Sequence, residues 1–333
     1  MFISVLELFK LGIGPSSSHT VGPMIAAAQF IHTLEQLDPS SIKADSRLRC
    51  TLTGSLAHTG LGHSTDNALL LGLHGYAPQQ IALLDIGELT NQLWQQNFVS
   101  LSCSEQTRQL LFNPNSDIVF DKQQTLTEHP NGMIFEVLDN NLQPYINEIY
   151  FSIGGGFVNT LDEMKQLVAP IKMLNASTCA FPFDDASSML AMAKKHGLSI
   201  AEMKYQNEKL FHATEVLESG LDSIWQGMKN CVENGLKNEG ILPGGLNVKR
   251  RAKNLHQQLL ATPSTAHLHE WLCAYAMAVN EENAAGHAVV TAPTNGAAGV
   301  IPAILYYCFQ FEQLTAKQVH DFLLTAAAIG GII

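Results

Sequence analysis

The sequence is short of cationic residues, grouped cysteines and long apolar runs, and each shortage removes a class of protein. Nineteen Lys and Arg stand against thirty Asp and Glu, a formal net charge of −11. Counterion release from a phosphate backbone therefore cannot drive binding, and no nucleic-acid partner is expected. The six cysteines (Cys50, Cys103, Cys179, Cys231, Cys273 and Cys308) stand singly, without a C-x-x-C pair. They read as reduced thiols of a cytoplasmic protein rather than as a disulfide framework. No apolar run of about 18 residues occurs, because Pro, Asn, Thr, Gly or a charge breaks each candidate, so no membrane span is expected. The opening MFISVLELFK has Glu7 inside its apolar stretch and no basic flank, unlike a signal peptide. Neither a G-x-G-x-x-G opening a helix nor a G-x-x-x-x-G-K-[ST] is found, which excludes the usual nicotinamide, flavin and P-loop sites. What is present is 333 residues, 46% hydrophobic and 15% charged, enough for two domains with separate cores.

The two halves differ in texture. Arg47 to Leu56, Met133 to Leu138 and Tyr145 to Ser152 alternate β-branched or aromatic residues with polar ones, which predicts strands. Asp139, Asn140 and Asn141 between the last two predict a hairpin. Val21, Met24, Ile25, Ala28, Ile31 and Leu34 follow helical spacing, with Pro23 in the first turn where its missing N–H costs nothing. After Gly154-Gly155-Gly156 strand signals fade, and Ser187 to His196, Ile200 to His212 and Ala213 to Leu236 carry helical periodicity. The expected fold is an α+β N-terminal domain over residues 1–156, a connection over 157–185 and an all-α domain over 186–333.

Polar residues concentrate in a few segments. In Gly12-Ile13-Gly14-Pro15-Ser16-Ser17-Ser18-His19-Thr20-Val21-Gly22-Pro23, hydroxyls and an imidazole lie just before an amphipathic helix. Such a helix N-terminus suits an anion, a carboxylate as readily as a phosphate. A helix cap alone needs one Ser or Thr, not three serines followed by His-Thr. Gly54 to Asp66 repeats the pattern as a predicted loop after a strand. His63 there suits proton transfer or oxygen ligation, and Asp66 either orients it or complements the first helical turn, as Thr65 caps it. Gly154 to Gly156 permits close approach to a ligand or a sharp bend. In the helical half, Asn280 to Gly286 and Val289 to Gly299 set amides, carboxylates and threonines among small residues, either to meet a polar ligand or to pack helices closely. Asn207-Glu208 lies on a predicted helix. Glu239 to Gly245 forms a rigid turn before Arg250 and Arg251, which read as a solvated basic face.

Taken together, GIGPSSSHTVGP, GHSTD, SIGGGF, EGILPGG with RRA after it, and NEENAAG followed by VVTAPTNGAAG resemble the single-chain bacterial iron–sulfur L-serine dehydratases, also called L-serine ammonia-lyases. The match runs in order from residue 4 to the end. The resemblance implies a β domain like the allosteric substrate-binding module of phosphoglycerate dehydrogenases, followed by a helical domain with a [4Fe–4S] cluster. It implies deamination of L-serine to pyruvate and ammonia, in amino-acid degradation and gluconeogenesis, by a cytoplasmic homodimer. An open cluster iron would act as Lewis acid on the serine hydroxyl. His63 and His19 would be the catalytic groups, with His63 first for proton transfer. Ser16, Ser17, Ser18, Thr20, Thr65, Asp66, Gly154 and Gly155 would bind substrate on one wall. Asn283, Thr291, Thr294 and Asn295 would form another wall, across a domain interface.

One departure from the family pattern matters. The family's cluster cysteines lie in its last third, beginning with a G-A-E-V-G-C stretch, and this sequence ends at Ile329-Gly330-Gly331-Ile332-Ile333, before it. None of the six cysteines matches a ligand position, so no metal ligand is assigned within the chain. The cluster ligands are expected beyond residue 333, and the 333-residue polypeptide by itself is expected to be inactive on serine. Two other classes compete: a non-catalytic amino-acid-binding or oligomerisation module, and a pyridoxal-phosphate lyase. The latter needs a Schiff-base lysine and a phosphate cup, whereas Lys204 and Lys229 fall on charged helical faces with no such loop nearby. No pyridoxal phosphate is expected.

Overall fold

The computed structural model describes residues 2–81, 86–103, 106–166, 179–243, 246–261, 267–291 and 294–332. The chain forms two units, Gly12–Pro170 and Met1–Leu11 with Ile171–Ile333.

The first unit is built on a seven-stranded sheet. Its strands are β1 (Arg47–Thr53), β2 (Phe98–Cys103), β3 (Gln106–Leu111), β4 (Ile118–Asp121), β5 (Gly132–Leu138), β6 (Pro144–Gly154) and β7 (Phe157–Thr160). The order is β2-β3-β1-β5-β6-β7, with β4 also paired to β1. β1 runs parallel to β4 and antiparallel to β5, from Arg47 opposite Leu138 to Leu52 opposite Met133. Alternation along β1 puts Leu48, Cys50 and Leu52 on one face, all fully buried. Helices α1 (Gly22–Glu35) and α3 (Thr65–Leu73) supply the matching apolar faces, including Met24, Ala27, Phe30, Leu34, Ala68 and Leu69. The helices approach closely at Gly72, where a Cβ would lie 2.2 Å from the Met24 carbonyl. Phe30 stacks on Phe135 at 5.2 Å, and Phe135 meets the edge of Tyr150, so α1 is fastened to the middle of the sheet. The hairpin expected around Asp139 joins β5 to β6.

The stretch 157–185, expected as a connection, holds β7 and then α4 (Leu161–Lys165) within its first nine residues. β7 has four residues, too few for alternation to stand out. α4 is started by a reciprocal cap in which Thr160 Oγ1 accepts Glu163 N–H and Glu163 accepts Thr160 N–H. Residues 167–178 of that stretch, with Pro170, lie outside the described residues, as do Gly244, Gly245, Ala292 and Pro293 of the quoted motifs.

The second unit is helical, with α5 (Ala186–His196), α6 (Ile200–Glu208), α7 (Thr214–Gly235), α8 (Ala252–Ala261), α9 (Leu268–Ala284), α10 (Val300–Phe311) and α11 (Ala316–Gly330). A single short strand among its described residues 179–332, β8 (Ala288–Thr291), interrupts the helices. α7 is its axis: Leu217, Leu221, Ile224, Met228, Cys231 and Val232 make a buried stripe at three-and-four spacing. At Gly235 a Cβ would lie 2.3 Å from the Ala278 carbonyl, so α7 and α9 cross with almost no space between backbones. Residues 2–11, which sequence reasoning placed with the β domain, belong here. Val5 and Phe9 enter the core with Leu217 and Leu323. Ser4 Oγ and Val5 N–H donate to the buried Glu208 carboxylate at 2.8 and 2.6 Å. The apolar run MFISVLELFK gives no sign of that distant carboxylate. No helix among the described residues is long and apolar enough to cross a membrane.

Candidate active site

In the sheet unit, the polar segment before α1 is a wide helical turn, Ser17–Val21. Ser16 is extended and organises it: its carbonyl accepts from Thr20 N and Val21 N, and its Oγ accepts His19 N–H at 3.2 Å. Ser16 N–H in turn donates to Thr20 Oγ1. Ser16, Ser18 and His19 are left half-buried, while Ser17 and Thr20 are buried.

The second segment, predicted as a loop, is mostly helix. α2 (Gly54–Thr59) and a tight turn at Gly60–His63 follow β1, and Ser64 takes a left-handed backbone (φ 52°) before α3. Loop-like Gly and Ser content masked a helix that glycine turns bracket at both ends. His63 Nδ1 lies 2.9 Å from the Thr59 carbonyl. A carbonyl only accepts, so Nδ1 carries the hydrogen and the neutral ring keeps its lone pair on Nε2.

Two threonines clasp the segments together. Thr20 Oγ1 donates to the His63 carbonyl at 2.8 Å, and Thr65 Oγ1 donates to the His19 carbonyl. Both threonines are fully buried. The clasp brings the two imidazoles together, with ring centroids 4.8 Å apart and planes tilted by 38°. Burial, and then the neighbouring His63, holds the His19 pKa below the usual histidine value. The His19 ring is also bracketed by hydroxyls, Ser18 Oγ at 2.9 Å from Nδ1 and Ser55 Oγ at 2.9 Å from Nε2. Asp66 sits in the first turn of α3, where its Oδ1 accepts Asn67 N–H, and burial raises its pKa against that bond. Gly154, Gly155 and Gly156 form the turn between β6 and β7 with φ of 103°, 62° and 76°. At Gly156 a Cβ would also crowd Val21 at 3.1 Å, so backbone shape accounts for the triplet.

In the helical unit, Asn295 Nδ2 donates to Asn283 Oδ1 at 2.8 Å, and both residues are buried. Thr291 is buried at the end of β8, while Thr294 is exposed. The acidic pair beside them is occupied within the protein. Glu281 accepts the Arg251 and Ala252 N–H groups at the start of α8. Glu282 accepts from Arg250 Nη1 at 2.6 Å and Asn238 Nδ2 at 2.9 Å, and lies 2.7 Å from His287 Nδ1. Burial pushes the Glu282 carboxyl up, but the bonds from His287, Asn238 and Arg250 outweigh it and hold its pKa low. Arg250 is therefore not on a solvated face: its side chain is 6% exposed. The hairpin that places it is closed by Ile241 paired with Lys249 and by Arg250 N–H donating to the Gly240 carbonyl. Lys204 is likewise buried, at 2% exposure, against expectation. Its ammonium donates to the Ile3 carbonyl, pairs with Glu208 and lies over the Phe2 ring.

The serine dehydratase beta chain family matches residues 4–163, and the serine dehydratase alpha chain family matches residues 195–333. An L-serine dehydratase of Streptomyces coelicolor is 40% identical over 332 residues, 99% of this chain and 71% of that protein. The chain belongs to the L-serine dehydratase family. An L-serine dehydratase of Haemophilus influenzae and L-serine dehydratase 2 of Escherichia coli are each 37% identical, again over 99% of this chain and 71% of theirs.

The beta-chain match covers the histidine clasp, and the alpha-chain match covers the Glu282 network. The iron–sulfur cluster implied by the family needs grouped thiolates. Cys50, Cys103, Cys179 and Cys231 are buried, Cys308 is partly so and Cys273 is exposed. Burial pushes the Cys50 and Cys231 thiols up, away from the thiolate form. Among the described residues no three His, Cys, Asp or Glu side chains converge on a metal position. The cysteines of this chain do not fit a cluster, and none of the chemistry assigned to its residues passes through one. Ser55 and the Arg250–Glu282–His287 network went unnoticed in the sequence. A serine opposite a strand end carries no signal of its own, whereas two carboxylates inside a small-residue helix are a sign of buried pairing.

Proposed function

We propose that the protein deaminates L-serine to pyruvate and ammonia, with His63 Nε2 taking the Cα proton. Relatives 35–40% identical over nearly the whole chain are named L-serine dehydratases. The observation that carries the proton-transfer role is the Thr59–His63 bond, since it leaves Nε2 as the basic nitrogen of a ring fixed at both backbone and side chain. Ser17 and Ser18, in the first turn of the helix, hold the substrate carboxylate through their main-chain N–H groups, and Ser16 shapes that turn. Thr20 and Thr65 act indirectly, by setting the two histidines. Burial, and then the neighbouring His63, lowers the His19 pKa, and ring centroids only 4.8 Å apart oppose charging both imidazoles at once. Asp66, Gly154, Gly155, Asn283, Thr291, Thr294 and Asn295 complete the proposed substrate-binding set.

The division into a β domain (1–156), a connection (157–185) and an α domain (186–333) remains part of this reading, adjusted for the first eleven residues and for β7 and α4, which extend the β domain to Lys165. So do a [4Fe–4S] cluster with ligands outside these cysteines, a homodimer and a cytoplasmic location, which six unpaired thiols favour. Sedimentation of the purified protein tests the dimer. The central test is pyruvate release from L-serine by anaerobically isolated protein that also carries the family's cluster cysteines, wild type against His63→Gln, since the 333 residues alone are expected to be inactive. Turnover should fall by roughly 10²–10⁴-fold with serine binding retained. An unchanged kcat with a raised KM would reassign His63 to binding, and a wild-type protein that binds no L-serine would overturn the reading as a whole.

A further inference from the structure

Ser55 opens α2, yet no side chain caps that helix; the Ser55 hydroxyl instead lies 2.9 Å from His19 Nε2. The backbone holds it in place. Gly54 has φ 54°, and a Cβ there would lie 2.3 Å from the Pro130 carbonyl, so glycine is required for the chain to turn at that point. Gly54 N–H and Ser55 N–H donate to the Gln124 and Pro130 carbonyls at 3.2 and 2.7 Å, and the Ser55 carbonyl accepts Thr59 Oγ1 at 2.9 Å. Three segments thus pin Ser55 while its side chain aims at an imidazole 36 residues away.

On the other side of that imidazole the contacts run through two serine hydroxyls. Ser16 Oγ already accepts the His19 N–H, and it lies 3.4 Å from Ser18 Oγ. Each hydroxyl has one hydrogen. With Ser16 Oγ engaged as an acceptor, we take the order in which Ser16 O–H donates to Ser18 and Ser18 O–H donates to His19 Nδ1, 2.9 Å away. The ring hydrogen of neutral His19 then sits on Nε2 and faces Ser55.

We infer that Ser55 is a positioning residue for the histidine pair: its Oγ accepts the Nε2 hydrogen of His19 and holds that ring in the tautomer opposite to His63, whose hydrogen is on Nδ1. Both nitrogens of His19 are then engaged, and His63 Nε2 is the nitrogen of the pair left to meet a substrate proton. The mechanistic meaning rests on the serine-deaminating reading, but the tautomer does not, since it is measured without turnover. Absence of deaminase activity would overturn that reading and leave this one standing.

The experiment is long-range ¹H–¹⁵N correlation on the chain labelled with ¹⁵N-histidine, with the His19 signals assigned by His19→Gln. His19 should appear as the Nε2–H form in the wild type, move toward Nδ1–H or a mixture in Ser55→Ala, and return to Nε2–H in Ser55→Thr. A wild-type Nδ1–H form overturns the inference, as does a Ser55→Ala variant that melts at lower temperature with its tautomer unmoved, the signature of a merely structural serine. If Ser55→Ala does not fold, Ser55→Cys takes its place: a weak sulfur acceptor must give a mixture, and an unchanged Nε2–H form overturns the inference. Titration adds a sign. Loss of an acceptor for Nε2–H lowers the His19 pKa further, whereas loss of a donor would raise it, and a rise overturns the inference.

Discussion

The sheet unit and the helical unit each carry a dense polar motif, and they use it in opposite ways. In the sheet unit, Thr20 and Thr65 take up main-chain carbonyls, and this leaves the hydroxyls of Ser16 and Ser18 and the rings of His19 and His63 half-buried at one place. In the helical unit, Glu282, Arg250, Asn238 and His287 satisfy one another. The first arrangement presents chemistry; the second consumes it to fix a helix crossing and a hairpin. Composition does not separate the two cases, because both motifs mix polar side chains with glycine and alanine. The partners separate them.

The largest expected effect comes from breaking the self-satisfied network. Glu282→Ala leaves Arg250 buried without its carboxylate and should destabilise the protein by about 3–5 kcal/mol, measured by denaturant unfolding. A loss under about 1 kcal/mol would mean that the network is wetter than its 2% and 6% exposures indicate. In the sheet unit the corresponding break is milder in stability and sharper in function. Thr20→Val and Thr65→Val each abandon a buried carbonyl and should cost about 1–3 kcal/mol. The double variant should show coupling between them, because each threonine restrains the segment that the other one holds. Strictly additive costs would mean that the clasp is two independent bonds, and turnover should fall in either single variant as the rings lose register.

The most gradual effect, spread over more than two pH units, is the response to acid. Burial holds His74 at about 4, and lowers His19 and His129, all in the sheet unit, whereas His256 is the counterpart in the helical unit. Each folded-state pKa lies below the unfolded value, so the unfolded chain binds more protons as pH falls. Their contribution is complete above about pH 6.5 and is lost toward the folded pKa. For His74 the loss is at most roughly 1.4 kcal/mol for each pH unit between 6.5 and 4. Glu282 has a lowered carboxylate pKa, so its contribution is present above the usual carboxylate range and is lost only at lower pH. Hydrogen exchange followed from pH 7 to 5 should loosen the sheet unit first. Loss of protection in the helical unit at the higher pH would reverse the comparison.

Much of the fold was legible because it follows local periods. The alternation of Arg47–Thr53, the helical spacing of Gly22–Glu35 and Thr214–Gly235, and the Asp139 hairpin all appear where side-chain pattern places them. The helix at Gly54–Thr59 reads as a loop in sequence because its glycines speak for a turn, and Gly54 does make one, at the helix entrance. β7 was hidden by its length, and the first eleven residues by a tether to Glu208 some 200 positions away. The histidines, serines and threonines of the site were visible as residue types, but their division into proton handlers and clasp was not.

By itself, then, the sequence determined the family, the sheet-then-helix division and the composition of the polar segments, because these are written in neighbouring residues and in the order of motifs. Tertiary structure alone decided which of those polar groups meet. Thr20 reaches His63 across 43 residues, Thr65 reaches His19 across 46, Ser55 reaches His19 across 36 and Arg250 reaches Glu282 across 32. A hydrogen bond is a condition on distance and direction in space, and no local pattern encodes where two distant backbones will turn toward each other.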